Sequence, residues 1–107
     1  MKVSKYQAWA DSMRHRHKHD DYITYDVMGI AKEAGEVADA WSRNARGDYP
    51  DPDVFREDVL LELGDTFHYM VRLASDLGYE WEEVMAANVE KLTNREKYGK
   101  GKKGKRS

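Results

Sequence analysis

The chain of 107 residues contains no cysteine, which excludes disulfides, thiolate metal ligands and a cysteine nucleophile. It has no apolar run approaching the roughly 18 residues that span a bilayer, and its start lacks the paired basic and apolar regions of a secretory signal. Strand-like alternation and internal repeats are missing as well. These absences fit one cytoplasmic domain of the all-α class. Charge, by contrast, is abundant: 36% of residues are charged against 40% hydrophobic. A domain of this size buries only about 60–65% of its unfolded surface, so self-association would help it.

The charge is unevenly placed. The formal total is −2, from 18 basic and 20 acidic residues. Six of the basic residues and none of the acidic ones lie in 97–107, so the remainder holds 12 basic and 20 acidic residues, a net of −8. A body that negative is a poor general binder of nucleic acid, whose backbone would repel it. The Gly/Lys-rich segment 99–107 reads as a disordered, solvated tail, and 1–98 as the helical domain.

Four helices are predicted. Val3, Tyr6, Trp9, Ala10 and Met13 recur at helical spacing and give a first helix over about 3–14. Arg14 to Asp21 is polar throughout and reads as a loop. Its alternating His15, His17 and His19 share no helical face, so a solvated loop outweighs both a substrate-facing loop and a metal site. The second helix is predicted from Thr24, as N-cap, to Ala45, with Val27, Ile30, Ala31, Ala34, Val37, Ala38 and Trp41 as its apolar stripe. Gly47, Pro50 and Pro52 then break the chain. The third helix runs over about 53–77, with Val59, Leu60, Leu63, Phe67, Met70, Val71 and Ala74 as its stripe, and ends at Gly78. The fourth covers about 81–97, with Glu82 and Glu83 favourably placed at its N-terminus.

Carboxylates carry the chemistry. Glu33 and Glu36 on the second helix, and Glu62 and Asp65 on the third, are each spaced i, i+3 and so project from nearly one face. Both pairs border an apolar stripe, where simple solvation would place them opposite it. The short break predicts an antiparallel hairpin, in which residues whose numbers share a sum lie at one height. Glu33 with Asp65, and Glu36 with Glu62, both sum to 98, which centres the turn at Tyr49. Four converging carboxylates repel one another unless a cation is present. Hard oxygen donors suit Mg²⁺, with Mn²⁺ as a substitute. The same register sets Tyr69 opposite Gly29, where the missing side chain leaves room for a ring.

The segment Gly29-Ile30-Ala31-Lys32-Glu33-Ala34-Gly35-Glu36-Val37-Ala38-Asp39, followed by Glu62-Leu63-Gly64-Asp65, resembles the MazG-like nucleotide pyrophosphohydrolases of the all-α NTP pyrophosphatase superfamily. The stretch Asn88 to Arg95 is similar to the Asn…Lys…Arg ending of many members. The resemblance implies a four-helix bundle around a central antiparallel hairpin, assembled as a homodimer or homotetramer. It implies magnesium-dependent hydrolysis of a nucleoside triphosphate to the monophosphate and pyrophosphate. Glu33, Glu36, Glu62 and Asp65 match the magnesium ligands, with Glu33 or Glu36 taking the proton of the attacking water. Asn88, Lys91 and Arg95 match phosphate-contacting positions, and Tyr69 an aromatic that meets the nucleoside. The preferred base stays open.

Two other readings compete. Asp65-Thr66-Phe67-His68 resembles half of a di-iron carboxylate motif, but Glu33-Ala34-Gly35-Glu36 lacks the matching histidine. A noncatalytic helical adaptor that uses the basic tail on nucleic acid is the other.

Overall fold

A computed structural model describes residues 1–16 and 21–94, with the side chains of 15 and 16 left aside. Helix α1 (Val3–Ser12) leads into a 3-10 turn (Met13–Arg16), followed by α2 (Tyr22–Ala45), α3 (Pro52–Asp76) and α4 (Trp81–Thr93). Among the described residues there is no strand, and no helix is long and apolar enough to cross a membrane. The predicted all-α architecture is the one observed, with α2 and α3 as its dominant antiparallel pair.

Local chemistry explains the boundaries. Asp21, rather than the predicted Thr24, caps α2, its carboxylate accepting from the Thr24 amide at 3.0 Å. Asp51 caps α3 by accepting from Asp53 N, and Pro52 takes the first helical position, where no amide hydrogen is needed. Two glycines at positive φ close α2 and α3: Gly47 at 85° and Gly78 at 87°. Behind each, the next amide bonds back to the last turn, Asp48 N to Arg43 O and Tyr79 N to Ala74 O. Helix α4 opens on a reciprocal box between Glu80 and Glu83 and stops at Thr93, short of the predicted end. The predicted tail over 99–107 lies outside the described residues.

Packing departs from the predicted stripes. On α2 the buried residues are Asp26, Glu33 and Ala40, while Val27, Ala31, Ala34, Ala38 and Trp41 are exposed. On α3, Leu60 and Leu63 are exposed and Val71, Arg72 and Ala74 are buried. On α2 the packed face thus lies one residue off the apolar maximum, with Ile30 and Val37 half-buried, whereas α3 packs through its predicted stripe from Phe67 to Ala74. Much apolar surface is left uncovered on a single chain.

Polar anchors hold the remainder. Gln7 is 2% exposed; its Nε2 lies within 3.1 Å of Val71 O, Ser75 Oγ and Tyr79 O, and its Oε1 accepts from Trp81 N at 2.8 Å. One amide therefore pins α1 to the α3–α4 junction. Arg14, predicted to lie in a solvated loop, instead turns inward from the 3-10 segment. It donates to Asp26 Oδ2 at 3.1 Å and to Arg72 O at 2.9 Å, and pairs with Asp76. The fully buried Arg72 lies 3.4 Å through Nε from Asp26 Oδ1, an ion pair without a hydrogen bond.

Two forces oppose each other on Asp76. Burial and a hydrogen bond to Asp26 outweigh Arg14 and push its carboxyl up to about 6 from 3.8. The fold holds this proton more tightly than the unfolded chain, so stability should fall as pH rises from about 4 through about 6. Thermal melts across that window are expected to show this slope, and Asp76→Asn to flatten it.

Candidate metal centre

Glu33 reaches the site from the middle of α2; Glu62 and Asp65 reach it from the facing stretch of α3. One carboxylate oxygen from each lies within 4.8 Å of the others. Glu33 is nearly buried, Glu62 half-buried and Asp65 exposed, so the cluster opens to solvent on the α3 side. Glu36 lies one turn further along α2, outside this group of three, but its charge still acts on Glu62. Of the four predicted carboxylates, three converge and the fourth borders them.

The cluster is electrostatically frustrated. Burial first, then a hydrogen bond to Glu33 and the charges of Glu33, Asp65 and Glu36, raise the Glu62 carboxyl above 4.5. Among the described residues, Lys32 pairs with the cluster, its exposed ammonium 3.9 Å from Glu33 Oε2. A pair so exposed and long offsets little of the repulsion. Oxygen-only donors with an open side fit a hard divalent cation. Among the described residues no histidine joins the group, which disfavours the di-iron reading.

Tyr69 lies one turn beyond Asp65, against Gly29. A Cβ on Gly29 would come within 2.5 Å of Tyr69 Cδ1 and 2.7 Å of Cγ, so the glycine is required by the ring. A hydrogen bond with Tyr25, then burial, push the Tyr69 hydroxyl up to about 12, which keeps it protonated at neutral pH. Gly29→Ala should cost about 1–3 kcal/mol of overpacking, less about 1 kcal/mol gained in helix propensity. In a Tyr69→Ala background the same change should be neutral or stabilising, a coupling that a double-mutant cycle by urea unfolding will measure.

The remaining predicted residues are not drawn into the cluster. Asn88 and Lys91 are exposed on α4, and their side chains make no hydrogen bond or ion pair with other described residues. Arg95 lies outside the described residues. His68, considered only as half of an iron motif, meets Arg72 Nη1 through its Nε2 at 3.1 Å. The Arg72 guanidinium also sits 5.8 Å from the Tyr69 ring and 5.9 Å from that of Tyr25. Sequence reasoning missed this support. Its only local signal is a charged residue, Asp26 or Arg72, at a helical spacing that faces inward.

Residues 26–99 match the MazG nucleotide pyrophosphohydrolase domain, a stretch that includes both acidic pairs and all of α4. The chain belongs to this family. The MazG domain is also similar to the Gene 37 protein of Mycobacterium phage L5, at 33% identity over 78 residues, covering 72% of this chain and 68% of that protein. No solved structure gives a significant match. Membership places this MazG domain in the all-α NTP pyrophosphatase superfamily.

Proposed function

We propose that this chain is a magnesium-dependent nucleoside triphosphate pyrophosphohydrolase that converts an NTP or dNTP to its monophosphate and pyrophosphate. The observation that carries this reading is the convergence of Glu33, Glu62 and Asp65 oxygens within 4.8 Å in a MazG domain. Glu33, Glu36, Glu62 and Asp65 would hold the cation, with Mn²⁺ able to substitute. When bound, it would neutralise the phosphates and lower the pKa of a coordinated water. Glu36, bordering the tight group, or Glu33 within it, accepts the proton as water attacks the α-phosphorus. The α–β bridge then breaks and pyrophosphate leaves. Lys91 and Arg95 meet its charge, Asn88 donates beside them, and Tyr69 contacts the nucleoside.

Assembly belongs to the same reading. Leu60, Leu61, Trp41, Val89 and Leu92 are all more than half exposed on one chain, an apolar surface a second copy would cover. Light scattering at micromolar concentration is expected to give a dimer or tetramer; a monomeric mass would count against it. The absence of cysteine fits a cytoplasmic setting. The deciding experiment incubates the protein with a panel of NTPs and dNTPs and Mg²⁺, resolving monophosphate, diphosphate, pyrophosphate and phosphate. Monophosphate with pyrophosphate supports the reading. Diphosphate with phosphate, or no turnover, overturns it.

A further inference from the structure

Tyr69 is held from more sides than packing against α2 requires. Gly29 lies directly against its ring, and Tyr25 stands edge-on to it at 5.8 Å, with the two hydroxyls hydrogen-bonded to each other. The Arg72 guanidinium faces both rings, 5.8 Å from the centre of Tyr69 and 5.9 Å from that of Tyr25, within the range of a cation–π contact. Arg72, Tyr25 and Tyr69 thus close a ring of mutual contacts. The arginine is itself fixed: it is 1% exposed, its Nε faces Asp26, and its Nη1 donates to His68 Nε2 at 3.1 Å. A buried charge is a poor way to fill this layer for stability alone. Arg72 Nε and Asp26 Oδ1, 3.4 Å apart, share no hydrogen bond, and apolar side chains of similar volume commonly match or better a buried ion pair. What the charge adds is direction. Of the two rings it faces, that of Tyr69 borders the carboxylates: it follows Asp65 by one turn, is only half-buried, and feels the charge of Glu33.

We propose that Tyr25 and Arg72 are positioning residues of the candidate site, which fix the Tyr69 ring in the one orientation that meets the nucleoside of the bound triphosphate. The proposal rests on the pyrophosphohydrolase reading for the identity of that ligand. Each partner restrains a different freedom of the ring. A tyrosine hydroxyl lies on the axis of χ2, so the bond to Tyr25 does not hinder a ring flip but stops the side chain swinging away about χ1. Gly29 and Arg72 lie against the ring itself and hold its tilt about χ2. A loose ring would lose its freedom on binding, and that loss is subtracted from affinity; a ring already held loses little.

Tyr25→Phe removes the hydroxyl and keeps the ring, so it tests the lock without emptying the interface. It is expected to raise KM for nucleoside triphosphates about threefold to tenfold, with kcat within about twofold. Arg72→Lys keeps a charge for Asp26 but loses the planar group that faces both rings, and should raise KM in the same way. In a Tyr69→Ala background Tyr25→Phe should move KM by less than about 1.5-fold, because no ring is left to position. The gain in Tm that Mg²⁺ alone gives should be the same in Tyr25→Phe as in the original chain, since the carboxylates are untouched. Calorimetric binding of the triphosphates with Ca²⁺ in place of Mg²⁺ reads the nucleoside contact without turnover. Weaker binding in Tyr25→Phe, with no hydrolysis by the original chain, keeps the positioning and removes the pyrophosphohydrolase reading. Hydrolysis with the same KM in the original chain and in Tyr25→Phe, whatever the change in Tm, overturns the positioning alone. A rise in KM that persists in the Tyr69→Ala background also overturns it, and makes Tyr25 itself a substrate contact. Neither binding nor hydrolysis by the original chain overturns both.

Discussion

Glu62→Gln is expected to reduce magnesium-dependent hydrolysis by at least about a hundredfold while leaving the metal-free protein as stable as the original, or more so. The two effects share one cause. Without a cation, Glu62 stands among Glu33, Asp65 and Glu36, and together with burial they raise its carboxyl above 4.5. A raised carboxyl favours the fold at low pH and loses that contribution as pH rises through the raised value. The neutral amide removes this cost at pH 7. With Mg²⁺ the original chain should gain thermal stability, because only the folded state brings the ligands together. The variant should gain much less. Melts with and without Mg²⁺, set beside pyrophosphate release, provide the check. A variant that hydrolyses at the original rate would remove the carboxylate site from the mechanism.

Arg72→Leu is expected to cost about 3–5 kcal/mol, the largest loss of stability from any single change considered. Arg72 is 1% exposed and Asp26 is fully buried. Removing the guanidinium leaves Asp26 with Arg14 as its remaining ion-pair partner, in a place where water cannot replace the lost one. Introducing Asp26→Asn into that variant should restore at least about half of the loss, because the uncompensated charge goes with it. Urea unfolding of both variants measures this. A loss under about 1 kcal/mol for Arg72→Leu would show that the ion cluster does not hold α2 against α3.

Helical periodicity, the two i, i+3 acidic pairs and one short break are local properties. They suffice to predict four helices, an antiparallel hairpin and its register. The register sets Glu33 near Asp65 and Tyr69 over Gly29, which is the arrangement found. Caps shift by a few residues where Asp21 competes successfully with Thr24, since either side chain can serve as an N-cap and only the chain's path chooses between them.

What periodicity could not decide is which side of α2 turns inward. On α2 the packed face includes Asp26 and Glu33, while the more apolar residues face out. Packing of a lone hairpin is settled by small residues that allow close approach, such as Gly29 and Ala40, as well as by total hydrophobicity. The Arg14–Asp26–Arg72–Asp76 cluster joins residues from three separate elements, and no local pattern marks such partners. Trp9 sits on α1 at core spacing, yet the crossing of α1 over α3 leaves it half open beside Asp65. The sequence by itself therefore determined the helices and the acidic register, because both follow from neighbours a few residues apart. Only the tertiary structure decided the buried ion cluster and the exposure of Trp9, because both depend on contacts between α1, the 3-10 turn and α3 that lie more than 40 residues apart along the chain.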